Sequence, residues 1–212
     1  MDTQRIKNYN MSFNNIAFNL PNVFNYESGY LSIILGPMYA GKTSHLIKLF
    51  NLIKNNVMVI SHSIDNRYDE NFILSHDKKE KIPCLKYPSI CKFIENEEKN
   101  FDKYKFILVD ECQFFEDIVI VKQLVEKYNK NVYIFGLSGD FKRNKFGNVY
   151  ELLPFCDEIK LLHSICSNCE NKASFSHRLN NTDEQILVGS NDCYTPLCRS
   201  CYLIFNKKND EK

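Results

Sequence analysis

The residues Gly36-Pro-Met-Tyr-Ala-Gly41-Lys42-Thr43 match the phosphate-loop pattern G-x-x-x-x-G-K-[ST] in full. Gly36 and Gly41 let the backbone curl so that successive N–H groups face a phosphate. A helix opening near Thr43 adds its positive end. Lys42 reaches terminal phosphates as a point charge, and the Thr43 hydroxyl can ligate Mg²⁺. Further along, Asp110 and Glu111 close the apolar run Phe106-Ile-Leu-Val. Ligands bind at the carboxyl ends of strands in open α/β sheets, so this position suits a metal-holding group and a base. Asp110 would hold Mg²⁺ through water. Glu111 would take the proton from an attacking hydroxyl or water. The plainer reading of Glu111 is an acid favoured by a helix start.

Asp110-Glu-Cys-Gln113 also looks like the D-E-x-Q box of nucleic-acid helicases, which need two motor domains. A chain of 212 residues has no room for a second one.

Cys166-Ser-Asn-Cys169 and Cys198-Arg-Ser-Cys201 are two C-x-x-C knuckles with 28 residues between them. Four thiolates so paired make a closed, tetrahedral structural zinc site. The separation exceeds the usual ribbon spacing. The intervening chain must therefore form a long loop pinned at its base, and that loop, with Gly189 and Tyr194, is long enough to close over a ligand. A purely structural clip, or a zinc ribbon that binds nucleic acid, is the alternative. Cys84, Cys91, Cys112, Cys156 and Cys193 lack paired spacing and read as free thiols, most of them buried.

The elements that must carry these groups follow from hydrophobic patterning. Tyr30–Leu35 is short, apolar and β-branched, a buried strand. Thr43–Asn55 has Leu46, Ile47, Leu49, Phe50 and Ile53 at helical spacing. Val57–Ser61 is a second strand. Ile90–Glu98 is a short helix that Ser89 could cap. Lys105–Asp110 is a third strand, Ile118–Asn129 a helix with Val121, Leu124 and Val125 inward, and Asn131–Gly136 a fourth strand. Strands alternating with helices imply an α/β fold: a P-loop parallel sheet with helices on both faces. From about Leu161 cysteines cluster and polar residues thicken, marking a small C-terminal zinc-binding unit. The division expected is an Asn-rich, disordered tail over 1–28, a P-loop domain over 29–160, the zinc unit over 161–205 and a charged tail over 206–212.

Composition narrows the partners. Lys and Arg number 27 against 26 Asp and Glu, a net charge of +1, which does not favour a polyanion such as nucleic acid. The longest apolar runs are too short to span a bilayer. The first 27 residues have Asn14, Asn15, Asn19 and Asn22 where a secretory signal needs an apolar core, and only Arg5 where a mitochondrial leader would be Arg-rich. The expected compartment is the cytoplasm. Nine cysteines in a reducing compartment are better read as metal ligands than as disulfides.

Together these residues form an ordered set. The phosphate loop, then Asp65-Asn-Arg67-Tyr68, Asp110-Glu-Cys-Gln-Phe-Phe115, Gly136-Leu-Ser-Gly-Asp-Phe141, Phe146-Gly147, Gly189-Ser-Asn-Asp-Cys-Tyr194 and the two knuckles resemble the cellular-type thymidine kinase family over roughly Gly29 to Phe205. The resemblance implies a P-loop α/β domain with a zinc-anchored lasso that closes over thymidine. It implies transfer of the γ-phosphate of ATP to the 5′-hydroxyl, giving dTMP for DNA synthesis. Carried over, Glu111 is the general base and Arg67 positions the 5′-oxygen and stabilises developing charge. The nucleotide-binding set is Gly36, Met38, Gly41, Lys42, Thr43, Asp110 and Gln113, with Thr43 and Asp110 on Mg²⁺. The nucleoside set is Met38, Asp65, Phe114, Leu137, Phe141, Phe146, Ser176, Leu187, Gly189 and Tyr194. The zinc ligands are Cys166, Cys169, Cys198 and Cys201. A homotetramer, feedback by the triphosphate product, and no nucleic-acid or membrane partner are also implied.

The aromatic residues in the nucleoside set could equally be core. Arg143 and Arg178 could both approach phosphates, and the sequence does not rank them. Ser138, Lys142, Ser176 and Gln185 depart from the family pattern, Ser176 keeping the hydroxyl of the usual Thr. The rival readings are a nucleic-acid-stimulated P-loop ATPase with a zinc ribbon, and a non-catalytic nucleotide sensor.

Overall fold

The computed structural model describes residues 28–65, 71–74, 80–180, 182–186 and 193–210, the last four by main chain alone. β1 (Tyr30–Gly36) is buried along its whole length. It leads through the phosphate turn into α1 (Lys42–Ile53), and then into β2 (Val57–His62), β3 (Phe72–Leu74), β4 (Lys81–Pro83) and β5 (Leu85–Tyr87). Next come α2 (Ile90–Glu97), β6 (Phe106–Asp110), α3 (Val121–Glu126), β7 (Asn131–Leu137) and β8 (Glu158–Leu161). The main sheet has the order β5-β2-β6-β7-β1-β8, and every pairing in it is parallel.

Both faces of the sheet are covered, as continuous apolar strands require. On one face Leu31, Ile33, Ile107, Val109, Val132 and Ile134 pack against Ile90, Phe93 and Ile94 of α2 and Leu124 of α3. On the other face Ile34, Val59, Leu108 and Phe135 pack against Leu46, Ile47 and Leu49 of α1, and Ile73 and Ile82 of the β3–β4 hairpin extend that layer. Ser89 caps α2 by accepting from the Lys92 N–H at 3.1 Å. Asp117 adds two more acceptors for the same helix start, from Ile90 and Cys91.

The expected helix over Ile118–Asn129 is shorter in the structure. Ile118–Ile120 forms a 3-10 turn and only Val121–Glu126 is α-helical. The run Ile118-Val-Ile-Val121 is wholly β-branched, and such side chains crowd the preceding turn of an α-helix.

After Leu161 the chain builds small pieces: β9 (Ser164–Ile165) paired with β10 (Lys172–Ala173), β11 (Phe175–Arg178) paired with β12 (Tyr194–Leu197), and α4 (Arg199–Asp210). Their core is Cys166, Ala173, Leu197, Cys201 and Tyr202. No described helix is long and apolar enough to cross a membrane. The Asn-rich segment up to residue 27 lies outside the described residues.

Candidate active site and metal centre

The phosphate turn leaves β1 at Gly36, which lies in register with Leu137 of β7. Gly41 opens α1 with φ +78°, and a Cβ there would meet nothing within 4 Å. Glycine is needed for the dihedral, not for space. No side chain caps α1 and its first turn contains no acid, so its positive end is free to face an anion. Lys42 is buried, and its Nζ donates to the carbonyls of Pro37 at 2.8 Å and Gly36 at 3.3 Å. The ammonium is thereby folded along the loop itself.

β6 delivers Asp110, 5% exposed, to the same end of the sheet. Its register neighbour on β2 is Ser61, whose hydroxyl is buried with no hydrogen-bond partner. Glu111 then turns the chain off the strand in the left-handed region, φ 51° and ψ 44°. For a residue with a Cβ this costs on the order of 1 kcal/mol or more, and such outliers cluster at functional sites. A 3-10 turn, Cys112–Phe114, follows. The Gln113 amide nitrogen donates to Glu111 Oε2 at 2.5 Å, and its amide oxygen accepts from the Leu137 N–H at 3.0 Å. Burial pushes the Cys112 thiol well up; the Glu111 and Asp110 carboxylates add to this and Lys42 opposes it. The acid pair and the loop lysine therefore all act on one buried thiol.

The aromatic residues divide into two groups. Phe114 meets Phe146 edge-on at 5.7 Å. His62, at the end of β2, braces Phe115 at 4.9 Å and Phe114 at 6.1 Å. Its Nδ1 accepts from the Ile64 N–H and its Nε2 donates to the Pro88 carbonyl, which fixes the neutral tautomer. Burial lowers its pKa. Phe141 forms the second group, under the Arg178 guanidinium at 3.8 Å. Arg178, buried at 4% exposure, donates to the Tyr194 hydroxyl and to the carbonyls of Thr182, Glu184 and Gln185. Of the two arginines the sequence could not rank, Arg178 thus grips the lasso arm. Arg143 instead lies over the Tyr202 ring at 4.5 Å.

Ser176 Oγ accepts from the Met38 N–H at 2.9 Å, tying β11 to the phosphate turn. Asp65 is buried, and its carbonyl accepts from Lys86. Arg67, Leu187 and Gly189 lie outside the described residues. The sequence reading passed over Asp140. Its Oδ1 accepts from the N–H groups of Lys142 and Asn144, and its Oδ2 from the Gln185 amide at 2.9 Å. Asp140 stands in the Gly136-Leu-Ser-Gly-Asp-Phe141 motif without an assigned role, and an Asp that binds N–H groups a few residues on is a turn signal. Two departures from the family pattern meet here. Gln185 also reaches the Lys145 carbonyl, and Lys142 pairs with Asp183 at 2.8 Å.

Cys166, Cys169, Cys198 and Cys201 bring their sulfurs within 4.8 Å of one another. A tetrahedral site with Zn–S of 2.3 Å sets neighbouring sulfurs about 3.8 Å apart, and Cys169 and Cys198 stand at 3.6 Å. Asn171 and Asn168 donate to the Cys169 and Cys201 sulfurs. Burial opposes ionisation of Cys166, but N–H donors from Cys198, Asn168 and Cys169 bring its thiol down to about 6. A thiolate cluster with such donors fits zinc. The other five cysteines form no disulfide.

A glycine-and-lysine turn joins a buried parallel strand to a helix, and an acid pair ends a strand one place removed across β7. This arrangement places the protein among the P-loop nucleotide enzymes. The family model described as thymidine kinase matches residues 29–202. A thymidine kinase of Choristoneura fumiferana entomopoxvirus is 39% identical over 180 residues, covering 81% of this chain and 95% of its own. Thymidine kinase 1 of Dictyostelium discoideum is 35% identical, covering 82% and 78%, and the thymidine kinase of Bacteroides thetaiotaomicron is 36% identical, covering 87% and 92%. The chain belongs to the thymidine kinase family. Among solved structures, Bacteroides Pif1 bound to ssDNA covers 62% of this chain and 34% of its own at a TM-score of 0.32 and 16% identity, too slight a likeness to bear on fold or function.

Proposed function

We propose that this chain transfers the γ-phosphate of ATP to the 5′-hydroxyl of thymidine, giving dTMP and ADP. The observation that carries the reading is Glu111. Its carboxylate is turned off the end of β6 and held there by Gln113, whose other end bonds the strand beside the phosphate turn. Attack by the 5′-oxygen on phosphorus forms one P–O bond as the bond to the ADP oxygen breaks, and the hydroxyl proton passes to Glu111. Lys42 and the N–H groups of the turn balance charge on the phosphates. Thr43 and Asp110 would hold Mg²⁺, which when bound with ATP neutralises phosphate charge. One carboxylate and one hydroxyl suit a cation that keeps several of its waters.

Phe114, Leu137, Phe141, Phe146, Met38, Ser176 and Tyr194 would surround the base. Arg67, Asp65, Leu187 and Gly189 would complete the nucleoside contacts. Closure of the lasso would exclude water that could otherwise take the phosphate. A cytoplasmic homotetramer belongs to the same reading. The exposed Ile159 and Leu161 on the edge strand β8 support an oligomer, and light scattering tests it.

The test is an assay of radiolabelled ATP against the four deoxynucleosides, with and without a zinc chelator. Thymidine should be the preferred acceptor. Hydrolysis to ADP that rises with DNA or RNA and ignores nucleosides would instead make the protein an ATPase. Glu111→Gln should keep ATP binding and lose kcat by about 10²–10⁴-fold.

A further inference from the structure

Gln113 has both ends of its side chain committed to protein. The Leu137 N–H can only donate, so the amide atom it meets is the oxygen. The nitrogen must then face Glu111, to which it donates at 2.5 Å. The side chain is 3% exposed. Its ceiling is Gly136, where a Cβ would stand 2.7 Å from the amide oxygen and 2.3 Å from the Cys112 sulfur. Leu137, which receives the bridge, is the register partner of Gly36 at the head of the phosphate turn.

We propose that Gln113 is a positioning residue for the reaction: it sets the aim of the Glu111 carboxylate relative to the phosphate turn. This rests on the reading of Glu111 as the base. Glu111 departs from the strand with left-handed backbone angles, so the ladder of β6 does not fix where its side chain points. The Gln113 amide supplies that direction and ties it to β7. Gln113 therefore prevents the base from swinging away.

Gln113→Glu separates the two ends of the bridge. It keeps an acceptor for the Leu137 N–H and replaces the donor to Glu111 with a second carboxylate. Repulsion between the two carboxylates turns Glu111 aside, so this variant should lose kcat by about ten- to a hundredfold, with KM for thymidine within about twofold. Gln113→Asn keeps the amide one methylene short of spanning the gap. It should show a similar loss in kcat with KM for thymidine again little changed.

Wild-type kcat in either folded variant would overturn the proposal. So would failure of both variants to fold, which would make Gln113 a packing residue. Glu111→Gln run alongside separates the two readings. Full activity in that variant removes the base itself. An inactive Glu111→Gln with unaffected Gln113 variants removes only the positioning role.

Discussion

Along β1 the sheet buries every side chain from Tyr30 to Leu35, whereas the unit beyond Leu161 has a core of five described buried residues, of which Cys166 and Cys201 belong to the four-cysteine cluster. Layered apolar packing holds the first region. The second buries too little to fold on packing alone, and small units of this kind need a metal or a similar staple. The two regions should therefore fail differently. Damage to the sheet should lower global stability and kcat together. Damage to the cysteine-pinned unit should leave the sheet folded and show mainly in the nucleoside KM.

The largest effect expected is from the metal. Cys166→Ser, or chelation of the wild type, should release one zinc per chain and unfold the pinned unit, on the order of 10 kcal/mol of local stabilisation. Metal analysis and a thermal scan check this, and the transition of the sheet should persist. Unchanged zinc content in Cys166→Ser would remove the distinction between the regions. Gly136→Ala comes next. Its methyl must displace the Cys112 sulfur or the Gln113 amide, so urea unfolding should show a loss of about 1–3 kcal/mol, with kcat falling as Glu111 loses its aim.

Acid should act on the sheet through His45. Partial burial of this α1 residue, reinforced by Lys160 and Lys48, lowers its pKa to about 4 from an ordinary 6.5. The unfolded chain thus binds the proton more readily than the folded one. The contribution is complete above pH 6.5 and is lost as pH falls toward 4. Tm should drop by about 2–4 °C over that window, and His45→Phe should flatten the drop. Gln185→Ala removes the donor from Asp140 and Lys145. It should cost about 0.5–1.5 kcal/mol of arm docking, read as a severalfold rise in nucleoside KM with ATP KM unchanged. Lys142→Ala should do least, leaving both KM values and Tm near those of the wild type, because the Lys142–Asp183 pair is exposed.

The same contrast governs what could be read from the sequence. β1, β2, β6 and β7 are central and near-continuously apolar, so their patterning revealed them. The edge strands β5 (Leu85-Lys86-Tyr87) and β8 (Glu158-Ile-Lys-Leu161) were missed, because they are three and four residues long and carry charged side chains among the apolar ones. The phosphate turn and the cysteine knuckles are local spacings, and both were legible. The grip of Arg178 on the arm and the bridge from Gln113 to Leu137 were not. They join residues through tertiary register and a left-handed Glu111, and neither leaves a periodic trace.

Met38 and Ser176 stand 138 positions apart in the chain, yet the hydroxyl of one receives the main-chain proton of the other. Ser164 adds a second stitch to the Tyr39 carbonyl. The small unit is thus sewn to the very curl of backbone proposed to cradle triphosphate. A pull on its hairpin arrives at that curl as a change in where an N–H points, so the two ends of the reaction share a mechanical thread.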